Sequence, residues 1–501
     1  MVLDKSGNIY LTGNTGNPTD IITLKYSPSG NLLWSKIYNG PGNREDEAVR
    51  IVVDDSGFVY VVGETFDFIE FNNYLTIKYS SKGELLWNRE FNFGDSTTDV
   101  PHEMIIDNFS NIYITGYGST CLECSSDFMT VKSDKNGILQ WVKFYHGEGD
   151  LTNIGWTLIQ DKSGRLIVSG RSADINNTYY NATLIYNSNG NLLQIIKYDS
   201  ADVRRLETDD SNNIYVGGDV YRSDLTYQWD FFFNKYDSSG KLLWNRTYNS
   251  PFTQQRNDYF SWMVLDIQNK NIYYTGNTIF YNQNGYNFVL FKYNSDGDSI
   301  WKRGYSSIAN SNNSPVHLTK DKYNNFYITG SSDYNTPYYR IMTVKYDSAG
   351  NFKWVQTYVT YLFSNHYGKR VLIDSSNSVY VGGTSYGTES ATTDIVLIKY
   401  SQISHVQTSN LIPNEIKLFQ NYPNPFNPIT MISYELKSKS AVKIKVYDVL
   451  GKEVIELVNK IQETGKHEIT FDGSNFTNGV YFYNLEINGS IFDTKKLLLI
   501  K

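Results

Sequence analysis

A ten-residue phrase recurs along most of this chain. "DKSGNIYLTG" at Asp4 returns as "DDSGFVYVVG" at Asp54, "DNFSNIYITG" at Asp107 and "DKSGRLIVSG" at Asp161. It continues as "DDSNNIYVGG" at Asp209, the one-residue-longer "DIQNKNIYYTG" at Asp266, "DKYNNFYITG" at Asp321 and "DSSNSVYVGG" at Asp374, eight copies in all. The closing glycines, from Gly13 to Gly383, stand 48 to 58 residues apart. Self-similarity at such a period means one supersecondary unit repeated, each copy burying its apolar face against the next. No other feature narrows the possible folds as far.

A second phrase follows the first: "LKYSPSGNLLWSKIY", "IKYSSKGELLWNREF", "FNKYDSSGKLLWNRTY" and their relatives. Trp34, Trp87, Trp141, Trp244, Trp301 and Trp354 each come four residues after a turn glycine, with Gln194 in that place in copy four. Four residues further on stands an aromatic: Tyr38, Phe91, Tyr145, Tyr198, Tyr248, Tyr305 or Tyr358. That spacing puts both side chains on one face of a strand. Each repeat therefore predicts four short strands, A to D. The turn aspartate bonds to backbone amides ahead of it, and glycine or asparagine supplies positive φ. Eight such units predict an all-β fold, a β-propeller spanning residues 1–400 with about eight four-stranded blades. The eighth copy stops after strand C, so the last blade should be incomplete. The tryptophan stripe is expected to pack blade against blade.

Composition excludes some functions. A net charge of −7 without a basic tract argues against nucleic acid. No apolar run approaches the roughly 18 residues a membrane helix needs, so no transmembrane segment is expected. HExxH, GxSxG and phosphate-cradling glycine loops are missing, so no catalytic residue, metal or cofactor is assigned. Cys121 and Cys124 form a CxxC without a helix pattern after it, which suits a local staple or idle thiols. His102, His146, His317 and His366 fall at or near D–A connections and are expected as solvated loop side chains. Glu45, Asp46, Glu47, Asp99, Glu148 and Asp150 could in principle supply a glycosidase-like pair.

With strands alternating in direction, the tight A–B and C–D turns share one face of the ring. The variable B–C and D–A loops share the other, and loop variation on a rigid scaffold marks the working face. Phe66, Trp229, Tyr281, Tyr338 and Tyr361 lie in or beside those loops and are candidate ligand-stacking residues. A binding module for extracellular glycan or protein is the leading expectation. The alternative is a polysaccharide hydrolase or lyase working on the same face.

After "DIVLIKYS" the phrase ends. Residues 401–410 are polar and aperiodic, which suits a linker. From 411 to 501, alternating runs such as "AVKIKVYDV" and "GVYFYNLEI" predict a small immunoglobulin-like β-sandwich. Pro423, Pro425 and Pro428, with Asn424 and Asn427 between and beside them, predict a stiff entry clasp that cannot continue a helix or ladder.

Two resemblances add to this reading. The phrases "D-x-x-G-N-I-Y-V-T-G" and "K-Y-x-x-x-G-x-x-x-W" resemble bacterial β-propeller repeats of the SBBP type and, more distantly, NHL blades, over residues 1 to about 400. The tail resembles the type A C-terminal sorting domain of the type IX secretion system. Its opening block "LFQNYPNPFNPITMISYEL" contains Asn421, Pro423, Asn424, Pro425, Phe426, Asn427 and Pro428. The later blocks contain the Asp448–Gly451 turn, Gly479 and Tyr481, and the terminal Lys495 and Lys496. Phe471 stands where that family commonly has tryptophan. The resemblance implies an outer-membrane translocon as partner and a secreted or surface location. It also implies general secretory export first, so a signal peptide, and with it a closing strand, is expected upstream of Met1.

Overall fold

In the computed structural model, each repeat aspartate organises its turn. Asp54 is typical: its Oδ1 accepts from the amides of Ser56 (3.0 Å) and Phe58 (2.9 Å), and its carbonyl accepts from Gly57 N–H. Gly57 takes φ +81°, a backbone state that suits a residue without Cβ. The other carboxylate oxygen accepts the phenol of Tyr60 at 3.1 Å, six residues on. Asp4–Tyr10, Asp209–Tyr215, Asp321–Tyr327 and Asp374–Tyr380 repeat the bond at 3.0–3.1 Å. The aspartate in the phrase is thus engaged in holding its turn and anchoring the tyrosine of strand B.

These turns connect antiparallel strands over residues 1–500. The description leaves out 67–71, 94–97, 120–124, 150, 223–227, 249, 251–256, 279–284, 307–310, 334–335, 361–363, 387–392, 401–415, 422–423 and 427. The predicted linker and both cysteines lie outside the described residues. The chain divides into two compact units, Met1–Gln402 and Ile403–Lys501.

Among the described residues, the first unit contains seven four-stranded sheets and then one three-stranded sheet, each in sequence order. The last sheet consists of His366–Ile373, Val379–Tyr386 and Thr393–Tyr400. The A strands of successive sheets lie side by side, as in Asp46–Val53, Val100–Ile106 and Ile154–Gln160. They form the innermost layer of a propeller. Cores form between neighbouring blades: Tyr10 and Ile21 of the first pack with Ile51, Val61 and Ile77 of the second.

One repeated contact joins blade to blade. Lys78 of strand C lies 4.7 Å over the Tyr60 ring and donates to the carbonyl of Lys135, in the C–D turn of the next blade, at 2.9 Å. Lys25 and Lys235 donate to Ser81 and Ser295 in the same way. Trp34 and Trp244 donate their indole N–H to those same two carbonyls at 3.2 and 3.1 Å. The turn glycine beneath each indole has no room for a side chain: a Cβ on Gly83 would stand 2.8 Å from the Trp34 ring. The tryptophan stripe is therefore an inter-blade contact. Between the eighth blade and the first, Lys399 and Tyr380 donate to Pro28 O at 2.7 and 3.2 Å, so the ring closes through the same contact.

Blade four breaks the phrase and rebuilds the joint. Ile167, Ile185 and Gln194 replace its tyrosine, lysine and tryptophan. Arg165 bonds Asp161 at 2.7 Å through Nε and donates from Nη1 to Ser238 O of blade five. One guanidinium thus does the work of the Tyr–Lys pair.

The second unit is a β-sandwich. Lys417–Leu418, Ile429–Leu436 and Gly465–Asp472 form one sheet; Ser440–Tyr447, Glu453–Gln462, Gly479–Ile487 and Ser490–Leu499 form the other. Both bury apolar alternates, among them Ile432, Tyr434, Ile444, Phe471, Tyr483 and Leu497.

Trp244→Ala should lower the ring's unfolding free energy by about 3 kcal/mol, since truncating a packed aromatic costs roughly that much. Arg165→Ala should cost about 1–3 kcal/mol, as expected for a charge-assisted bond. Urea unfolding of both variants, beside Trp229→Ala at the loop-side end of strand Gln228–Tyr236 as a control that changes little, checks this.

Candidate binding site

Where each D–A loop meets strand A, the first strand residue closes the loop. Its backbone N–H donates to a carbonyl at the start of the preceding blade's strand C, as Asp46 does to Thr19 O and Asp99 to Asn72 O. Its side chain then receives loop amides. Asp46 accepts from Gly40 N–H, Asp99 from Phe93 N–H at 3.1 Å, and Asp258 from Ser250 N–H at 2.8 Å. Thr278 O–H also donates to Asp258. Asn153, Asn313 and His366 stand at the same place in other blades.

These carboxylates are buried, and burial pushes them up: Asp99 to about 6 and Asp258 to about 7. Asp46 moves in the same direction for the same reason. Asp46, Asp99 and Asp258 are thus clasps of the backbone. Asp150 lies outside the described residues.

Three of the four histidines differ from expectation, and His146 does not. His146 is a solvated side chain, paired with Asp127 at 2.6 Å. His366 is fully buried between Ser364 and Ser385. His317 is buried on strand Asn313–Lys320, and His102 on Val100–Ile106 stacks 4.3 Å from Trp156. Strand A begins nearer the D–A loops than its sequence suggests, so these rings enter the sheet.

The loops rise from that clasped base. Between blades four and five they leave a cleft of about 330 Å³ lined by Arg171, Tyr179, Asp202, Tyr221 and Trp229. Trp229 and Tyr221 pair across strands Ile214–Arg222 and Gln228–Tyr236, with ring centroids 5.4 Å apart. Tyr179, 41% exposed, carries the Arg171 guanidinium 5.0 Å over its ring. Asp202 holds that guanidinium through two bonds, Nε at 3.0 Å and Nη2 at 2.6 Å. The result is an aromatic wall beside a fixed polar fork. Such a wall offers the apolar face of a sugar a surface, while the fork offers hydrogen bonds.

Of the five aromatic candidates, Trp229 lines this cleft. Phe66 ends strand Val59–Phe66 and donates its amide to Glu45 O. Tyr338 lies near Tyr339, which pairs with Tyr367 at 5.5 Å, while Tyr281 and Tyr361 lie outside the described residues. The three described members, Phe66, Trp229 and Tyr338, belong to three different blades. Tyr179, Tyr221, Arg171 and Asp202 escaped the reading because each looks like ordinary strand sequence. Their signal is position, at the ends of strands flanking one blade junction.

In the second unit, the opening block is stitched to the last strand. Asn424 Nδ2 donates to Lys496 O, Leu498 N–H donates to Asn424 Oδ1, and Phe426 N–H donates to Leu498 O. Asn421, buried, receives Thr430 and Tyr483 into its bonding: its Nδ2 donates to Thr430 Oγ1 and its N–H to Tyr483 Oη at 2.7 Å. Phe426 is buried against Phe471, whereas Pro425 and Lys496 are exposed and Pro428 is half-buried. Asp448 caps its turn through the amides of Leu450 and Lys452, with Gly451 at φ +78°. Gly479 starts strand Gly479–Ile487, Tyr481 donates to Thr477 O, and Lys495 pairs with Asp493. Pro423 and Asn427 lie outside the described residues.

A propeller followed by such a sandwich makes this a protein of repeat architecture with a small β domain at its end. Residues 420–501 match the family described as the secretion system C-terminal sorting domain. The protein is secreted or held at the cell surface in association with the type IX secretion system, and its tail is the part that meets the translocon. No curated protein matches the chain. Among solved structures it is similar to the Dos1 propeller, at 12% identity over 72% of this chain and 86% of that one, with a TM-score of 0.43. A polysaccharide lyase, an ulvan lyase bound to a saccharide, is similar at 12% identity over 72% and 90%, TM-score 0.41. PorZ, a bacterial surface component of the type IX secretion system of Porphyromonas gingivalis, is similar at 13% identity over 98% and 75%, TM-score 0.34. None of these likenesses bears on activity.

The raised aspartates set the pH dependence of stability. A folded-state pKa above the unfolded value makes a contribution that is fully present below about pH 4 and lost as pH rises through the folded value. For Asp258 that window ends near pH 7 and for Asp99 near pH 6. Asp258→Asn, which copies the native Asn153 and Asn313, should flatten the decline between pH 4 and 7 by a few kcal/mol. Urea midpoints across that range measure it.

Proposed function

We propose that the ring is a binding module for an extracellular glycan, delivered by the sorting tail. One observation carries this reading: the cleft between blades four and five, where Tyr179, Tyr221 and Trp229 stand beside the Arg171–Asp202 fork. Aromatic rings held by strand pairing are pre-ordered, so little side-chain entropy is lost when a sugar stacks on them. The fork is equally fixed, because both Asp202 oxygens hold Arg171. Binding fits a loop face where Asp46, Asp99 and Asp258 hold backbone amides and Asp202 holds Arg171.

A glycan array probed with the full chain tests the reading. Tyr179→Ala and Trp229→Ala should each weaken the strongest hit at least tenfold, with unfolding midpoints close to wild type. Equal retention by both variants would remove the cleft from the function, and chain cleavage of a hit glycan by wild type would support a hydrolase or lyase instead.

Delivery is tested separately. Deleting residues 411–501 from the full-length gene product should leave a folded ring trapped in the periplasm. Normal amounts of that truncated protein outside the cell, measured by fractionation and immunoblot, would contradict the role of the tail.

A further inference from the structure

Every inner strand from blade two to blade eight contains a β-bulge, and the residue after it stands four positions before the repeat aspartate. Those residues are Arg50, Glu103, Thr157, Arg205, Trp262, His317 and Arg370. The strands around them follow one pattern, yet this position carries a different chemistry in nearly every blade. A bulge re-aims side chains, and here it turns them toward the ring axis, where they meet across blades. The Arg205 guanidinium lies 4.2 Å over the Trp262 ring, and Arg370, two blades further round, lies 5.7 Å over the same ring. The His317 ring is centred 4.2 Å from it. On the other side Arg50 donates to Glu103 at 2.6 Å. Glu207, two residues along from Arg205, accepts from its Nε and Nη2 at 3.2 and 3.1 Å.

The donors here outnumber the acceptors. Three guanidinium groups face two carboxylates, the buried Met1 α-amino group beside them is pushed down to about 5 by burial and then by Arg370 and Arg50, and among the described residues Arg370 has no ion pair. Buried donor atoms lack partners too: Arg370 Nε, Arg50 Nε and His317 Nδ1, the last on a side chain only 5% exposed. Burial, then Arg50 and Arg205 beside it, push Arg370 down to about 10. Burial and the same three arginines hold His317 well below its usual range, so it stays neutral and has one N–H to give. Yet water reaches the place. The side chains of Arg50, Arg205 and Glu207 keep 32%, 22% and 28% of their exposure. A side-chain cluster with unsatisfied donors and like charges gathered around the Trp262 ring is arranged for an anion that brings its own acceptors.

We infer that the ring axis is a binding site for a small oxyanion, a carboxylate, sulfate or phosphate group, held chiefly by Arg370 and Arg50 with His317 and Trp262 beside it. Guanidinium groups match planar and tetrahedral oxyanions through paired N–H donors, which an ammonium cannot do. Glu103 and Glu207 keep the two other guanidinium groups oriented and set the charge excess at one. The group could arrive as a free ion or as the acidic end of a sugar. This site is separate from the cleft between blades four and five and does not depend on it.

Isothermal titration of the full chain with sodium sulfate, sodium phosphate and sodium glucuronate, at ionic strength matched with sodium chloride and with glucose as neutral control, tests the inference. Saturable binding at millimolar or tighter concentration is expected for at least one anion and none for glucose. Preference for glucuronate over both inorganic ions assigns the sugar source, and the reverse assigns the free ion. Arg370→Gln should weaken that binding at least tenfold. Without anion it should melt no lower than wild type, because it removes an unpaired charge from beside two like ones. A guanidinium with a merely structural role would show the opposite, a lowered melting temperature with unchanged titration. Trp229→Ala should leave the titration as it is. Should Arg370→Gln fail to fold, Arg50→Gln takes its place with the same expected weakening. Lack of saturable binding by wild type, or equal affinity in the folded variant, overturns the inference.

Discussion

The ring depends on a joint made of four side chains from one blade and a turn from the next. Aspartate fixes its own turn and holds a tyrosine; a lysine lies over that tyrosine and reaches the neighbouring carbonyl, as Lys78 reaches Lys135 O. Tryptophan covers the same junction, as Trp34 and Trp244 do. The lysine contact combines a charged donor with a ring face and is partly shielded from water, conditions under which such contacts are worth most. Blade four shows what the joint requires. When tyrosine, lysine and tryptophan are all absent, Arg165 makes both bonds alone.

Because the joint lies on the tight-turn side, the rest of each blade is free to differ. The clasps at Asp46, Asp99 and Asp258 tie down the opposite loops without dictating their tips. The cleft beside Trp229 and the cluster of Arg50, Arg370 and Trp262 therefore sit on a frame that does not need their particular residues. Buried aspartates whose pKa stands near 6 or 7 are a cost the frame bears for holding loop amides in place.

Much of this was legible in the sequence, for reasons that differ between parts. The eight copies and the strand count followed from a phrase in which each residue has a fixed partner, so Asp54, Tyr60 and Trp87 recur with their spacing. The sandwich was legible because its alternation is strict, as in Val442, Ile444 and Val446. The site was harder to read. Nothing in the sequence marks the inner-strand bulges, and without them the position of Arg205 or His317 cannot be told from its neighbour's. Comparing copies column by column would have exposed a break there, since the fourth position before each aspartate mixes arginine, glutamate, threonine, tryptophan and histidine, and the fifth is as varied, between columns that stay apolar or small. The cleft residues Tyr179 and Tyr221 needed the third dimension, because they come from different blades.

The junction between the eighth blade and the first keeps the lysine bond of the internal ones, Lys399 to Pro28 O, while the Tyr380 hydroxyl donates to that carbonyl where internal junctions such as Trp34's use a strand-D indole. A ring fastened that way joins its last blade to its first through the lysine bond that internal junctions also use. Unequal crossing-over between copies would exchange whole cassettes with matched edges, and a gain or loss of one copy would ask each remaining wedge to turn slightly more or less. Families built on such a unit can change circumference by recombination while keeping their edges compatible, and any new cassette arrives with its own inner-strand residue and its own pair of loops.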